Sequence, residues 1–95
     1  MDIEVLNLEE TSLPYALVIL YTSGRVEVEY FAEYPDLKLS QLVYTSTYNL
    51  YKEGIAGYAF YKAGETCWQT THFRAYDSNW SKQLSTAARN KLKRC

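Results

Sequence analysis

The sequence predicts an α+β fold: a mainly antiparallel sheet of about five strands covered by a C-terminal helix, with a second helix in the middle of the chain. Three observations carry that prediction. First, Tyr15 to Phe31 reads YALVILYTSGRVEVEYF, two β-rich runs on either side of Ser23-Gly24, which is a hairpin signature. Second, Trp80, Leu84, Ala87, Ala88 and Leu92 fall on one face at helical spacing. Third, 95 residues with 47% hydrophobic and 22% charged side chains are the composition of a folded chain with one small core. Residues 1–95 are therefore read as a single domain.

Each element has its own local reason. In Asp2 to Leu8, Ile3 and Val5 alternate with Glu4, which predicts an edge strand with acids on its wet side. Glu9 to Pro14 is a polar turn. The arm Tyr15 to Thr22 is apolar on both faces, with Ala16, Val18 and Leu20 on one and Tyr15, Leu17, Ile19 and Tyr21 on the other. Such a strand belongs inside a sheet covered on both sides. In the second arm Val26, Val28 and Tyr30 alternate with Arg25, Glu27 and Glu29, so one face is solvated. Gly24 supplies the positive φ of a tight turn. A two- or four-residue loop sets Tyr21 opposite Val26 and Ile19 opposite Val28. A three-residue loop sets Leu20 opposite Val28 and exchanges the faces. The first register is expected, because it groups Leu17, Ile19 and Tyr21 with Val26, Val28 and Tyr30.

Pro35 ends the hairpin. Ser40 to Glu53 satisfies two patterns. Leu39, Leu42, Val43, Ser46 and Leu50 give a partial helical stripe, while Tyr44, Thr45, Thr47 and Tyr48 favour a strand. The helix is preferred because Ser40 as N-cap and Gly54 as stop agree with each other. Ile55 to Lys62 reads as a strand, Ala63-Gly64 as a turn and Glu65 to Tyr76 as the returning strand. Regular alternation there puts Trp68, His72, Arg74 and Tyr76 on one face. Asp77 to Arg94 reads as a helix capped by Asp77 or Ser78, with Lys91, Lys93 and Arg94 at the end the dipole favours. Lys82, Arg89 and Lys93 align on its outer side.

The totals exclude several classes. No run approaches membrane-spanning length, and the acidic, alternating start is not that of a signal peptide, so a soluble cytoplasmic protein without a membrane partner is expected. The two cysteines, Cys67 and Cys95, are expected to stay reduced. With one histidine they cannot make a strong zinc site, so neither metal nor cofactor is expected. His72 lies five residues after Cys67, an odd spacing that puts the two on opposite faces of a regular strand. No serine-hydrolase elbow, P-loop or zinc-protease pattern occurs. Catalysis is not expected.

Charge is divided along the chain. Residues 1–53 carry nine acids against three bases, and residues 54–95 seven bases against Glu65 and Asp77. Either two opposed surfaces result, or the halves interleave in space and cancel. Ten tyrosines suit half-buried strands and also binding surfaces. Gly57-Tyr58-Ala59-Phe60 resembles the core of the RNA-recognition-motif signature. The likeness stops at Ala56, Tyr61 and Ala63, and no family follows from it.

These observations lead to the expectation of a non-catalytic small binding protein that occupies a partner protein's surface, as an inhibitor or adaptor. Stand-alone chains of this size are often carried by phages and mobile elements as anti-CRISPR or other anti-defence proteins, an analogy of class only. The candidate contacts are the acids Glu27, Glu29 and Glu33 on the hairpin and, separately, the bases Lys82, Arg89 and Lys93 on the last helix. The alternative is RNA or DNA binding through those bases and exposed tyrosines. A homo-oligomer is compatible with either.

Overall fold

The computed structural model describes residues 13–92. The predicted first strand at Asp2 to Leu8 lies outside the described residues, as do Lys93 and Cys95. Four strands and three helices follow in chain order: β1 (Tyr15–Tyr21), β2 (Val26–Phe31), α1 (Asp36–Tyr44), α2 (Thr47–Lys52), β3 (Ile55–Ala63), β4 (Trp68–Ala75) and α3 (Ser78–Lys91). The strands form one sheet in the order β2-β1-β3-β4, antiparallel throughout. Among the described residues the sheet thus has four strands, where about five were expected in the whole chain, and three helices cover it, where two were expected.

β1 is an interior strand, as its two apolar faces require. Ala16, Val18 and Leu20 pack with Ala59, Tyr61 and Trp68 under α3, whose Leu84 and Ala88 are fully buried, as is Leu92 just past its end. Leu17 and Ile19 pack with Tyr58 and Phe60 under Leu39 and Leu42 of α1 and Leu50 of α2. The sheet is the middle of three layers, and it divides two hydrophobic cores.

The hairpin register is neither of the two expected: the faces are those of the three-residue alternative, but the turn begins one residue earlier, at Thr22. Leu20 lies opposite Val26, Val18 opposite Val28 and Ile19 opposite Glu27. The Tyr21 N–H donates to the Arg25 carbonyl at 2.8 Å, leaving Thr22, Ser23 and Gly24 in the turn, with Gly24 at φ 90°. This register sends Val26, Val28 and Tyr30 to the α3 side, where they pack against the core. Glu27 and Glu29 fall on the other side, beside hydrogen-bond partners from Tyr21 and α1.

The central helix is two helices. α1 starts directly after Pro35, four residues before the expected cap, so Ser40 lies within it. Thr45 then turns extended, at φ −87° and ψ 132°, and its hydroxyl donates to the Gln41 carbonyl at 2.6 Å. Ser46 caps α2 by accepting the Asn49 N–H at 3.2 Å. The physical reason is local: the hydroxyls of Thr45 and Ser46 satisfy helix ends better than helix interiors. Gly54 ends α2 at φ 91°, as expected.

β4 begins at Trp68, not Glu65, and its alternation breaks. Phe60 pairs with His72, but Tyr61 pairs with Thr70, so Thr71 is the extra residue of a bulge. Its hydroxyl donates to the Phe60 carbonyl at 3.1 Å. The bulge separates residues expected on one face: Trp68 is buried under α3, while His72 and Arg74 lie opposite Phe60 and Tyr58 on the α1–α2 side. α3 follows the sequence reading closely. The Asp77 carboxylate accepts the Trp80 N–H at 2.9 Å, and Arg89 and Lys91 occupy the last turn.

Candidate protein-binding surface

The exposed apolar side chains gather on one side of the molecule. Leu37 and Tyr44, seven residues apart on α1, are 77% and 87% exposed, and Tyr48 on α2 is 59% exposed. Tyr51 of α2 stacks on Tyr76, just past β4, with ring centroids 4.2 Å apart and planes 21° apart. Tyr34, before α1, sets its ring edgewise to Tyr15 and Phe60 at 5.6 and 5.5 Å. All belong to the α1–α2 layer and the strand end beneath it. Phe73 is the exception, since it pairs with Ala59 on the α3 side.

Arg74 ties this surface to the sheet. Its guanidinium donates to the Thr45 carbonyl at 2.8 Å, at the break between α1 and α2, and lies 6.0 Å from the centre of the Tyr58 ring. The helix break that places Tyr44 beside Tyr48 in the chain is thereby held against β4. Between Tyr34, Tyr44 and His72 runs a shallow groove of about 230 Å³, with Leu39 and Val43 in its lining. Rigid rings with hydroxyl tips over an apolar floor are the make-up of protein-binding surfaces. The pattern Leu37, Tyr44, Tyr48, Tyr51 was available in the sequence as apolar residues off the helical stripe.

The two predicted charged sites are placed differently. Glu27 accepts the Tyr21 hydroxyl at 3.0 Å and lies 3.6 Å from Arg25. Glu29 is paired with Lys38 of α1 at 2.5 Å. Glu33 is exposed in the loop after β2. Two of the three acids therefore already face bases. Lys82 and Arg89 are exposed on α3, on the side away from Leu84 and Ala88, and Lys93 lies outside the described residues. Lys82 also borders a groove of about 380 Å³ between α3 and the hairpin.

Cys67 is disulfide-bonded, which corrects the expectation of a reduced thiol and removes it as a nucleophile beside His72. His72 sits 6.4 Å from the Phe60 ring centre. Among the described residues no three His, Cys, Asp or Glu side chains converge to hold a metal ion. A further cleft, of about 450 Å³, opens between α1, α2 and β1, with Leu42, Leu50 and Ile55 in its floor and Tyr21, Glu27 and Glu53 at its rim. Burial, then the hydrogen bond to Glu27, hold the Tyr21 phenol above its ordinary pKa. Burial raises Tyr58 likewise, against the opposing charge of Arg74.

No family model matches the chain, and neither curated proteins nor solved structures give a match to it. No helix among the described residues is long and apolar enough to cross a membrane.

Proposed function

We propose that this chain is a non-catalytic binding protein that occupies a partner protein's surface, as an inhibitor or adaptor, through the tyrosines of α1, α2 and the end of β4. The observation that supports the reading is the gathering of exposed Leu37, Tyr44, Tyr48, Tyr51 and Tyr76 on one side. Exposed apolar residues scattered singly need no explanation, whereas a clustered set marks an interaction surface. Aromatic anchors dominate binding energy at such surfaces. The paired Glu27 and Glu29 serve here as steering charge rather than as anchors.

The test is affinity capture from native cells, run in parallel with wild type, Tyr44→Ala/Tyr48→Ala and Lys82→Glu/Arg89→Glu. One reproducible partner is expected with wild type and the helix variant, and its loss with the tyrosine variant. A second reading rests on exposed Lys82 and Arg89 and takes nucleic acid as the partner. Binding to mixed single- and double-stranded nucleic acid at low salt, lost in Lys82→Glu/Arg89→Glu, would establish it instead. Turnover of a metabolite with no captured partner would replace both. A cytoplasmic site of action goes with the proposal, and the Cys67 disulfide counts against it, since cytosolic thiols are normally held reduced.

A further inference from the structure

Among the described residues no further strand pairs with β2 or with β4, and these two edge strands are complementary to each other. Strand polarity comes first. β1 is antiparallel to β2 and to β3, and β3 to β4, so β4 runs opposite to β2. A second copy placed beside the first in the same orientation would therefore present its β2 antiparallel to β4, with the two faces of the sheet in register. Directly opposed residues share a face, which fixes what would meet on each side.

On the α1–α2 side, β2 carries Glu27 and Glu29, opposite Ile19 and Leu17. β4 carries His72 and Arg74 there, with exposed Lys62 next to it on β3. On the α3 side, β2 offers the half-buried Val26, Val28 and Tyr30, and β4 offers the exposed Phe73. Acid thus meets base on one face, and apolar meets apolar on the other. The stretch Gln69 to Phe73 is exposed and has no Lys, Arg, Asp, Glu or Pro, so the bulge at Thr71 is its one edge-blunting feature. Pairing β4 with β4 would instead bring two sets of bases onto one face, and β2 with β2 two sets of acids, which is unfavourable.

We propose that copies of this chain associate head to tail, β4 of one against β2 of the next, continuing a single antiparallel sheet. Such a contact is heterologous, so it extends or closes into a ring rather than stopping at two. The proposal does not use the tyrosine anchors, although Glu27, Glu29, His72 and Arg74 border both surfaces.

Sedimentation velocity on the full chain tests it. The weight-average mass is expected to rise past that of a dimer with concentration, and less so at high salt, which screens exposed charge. Glu27→Lys/Glu29→Lys spoils one edge and Phe73→Lys the other, so each variant alone stays monomeric. Mixed, they form a one-to-one dimer that grows no further, because each retains the edge the other lacks. Circular dichroism checks folding, and Thr70→Lys, exposed on the same strand, replaces Phe73→Lys if that variant is unfolded. A wild type monomeric at every concentration overturns the proposal. So does Glu27→Lys/Glu29→Lys associating like wild type, which a β4–β4 dimer would produce, or a mixture that stays monomeric. Concentration-independent protection of the β2 or β4 edge amides from hydrogen exchange in the monomer would also overturn it, because that edge would then be covered within one chain.

Discussion

Gly57 shows how a single missing side chain shapes the sheet. A Cβ there would lie 2.7 Å from the Arg74 carbonyl oxygen, 3.0 Å from the Ala75 Cα and 3.1 Å from a Leu84 methyl. Two of these neighbours are backbone and cannot swing aside, so Gly57→Ala must separate β3 from β4 or lift α3. A loss of roughly 1–3 kcal/mol is expected, as for other overpacked sites, read from urea unfolding. Tyr58 adds a pH dependence. Its folded pKa is raised above 10.0 by burial, so the folded state holds the phenolic proton more tightly than the unfolded one. That contribution is complete below the unfolded pKa and is lost as pH rises through the folded value. Stability is therefore expected to fall on the alkaline side of 10.0, and Tyr58→Phe to shallow that fall, measured by urea unfolding across the alkaline range. Tyr21, raised mainly by burial and then by Glu27, acts in the same direction.

Among elements, the α1–α2 pair departs most from the sequence reading, and the tyrosine surface depends on it. A continuous helix from Ser40 to Glu53 would rotate Tyr44 and Tyr48 in steady steps. The extended Thr45 and the Ser46 cap restart the helix in a new direction instead. Ser46→Ala removes the bond to Asn49 and is expected to cost about 1 kcal/mol. If α2 frays as a result, partner capture falls with helicity, which circular dichroism and the capture assay read together. β4 makes the same point for a strand. Its composition and turn were legible, but the bulge at Thr71 was not, because a bulge answers to the partner strand and leaves no local mark. One extra residue sends Trp68 into the α3 core and His72 to the opposite face.

At the scale of the whole molecule, the order β2-β1-β3-β4 turns a division of the sequence into a division in space. Among the described residues, β1 and β2 form one half of the sheet and β3 and β4 the other, and residues 13–53 carry five acids against three bases while residues 54–92 carry five bases against two acids. α3 closes the second core, and Leu84, fully buried there, touches the point where Gly57 admits it. Leu84→Ala is expected to lose 2–5 kcal/mol, in the range of other buried leucine truncations, with a matching fall in the urea midpoint.

The sequence by itself determined the elements whose causes are local or periodic: the two-faced rib of β1, the Gly24 turn, the Gly54 stop and the Asp77-capped α3. Each follows from side chains within a few residues, where backbone preference and apolar spacing agree. Only the tertiary structure decided the hairpin register, the bulge at Thr71 and which tyrosines remain outside. Those outcomes depend on what lies across the sheet or beneath the helix. A shift of one residue between facing strands exchanges core for solvent without altering any local propensity.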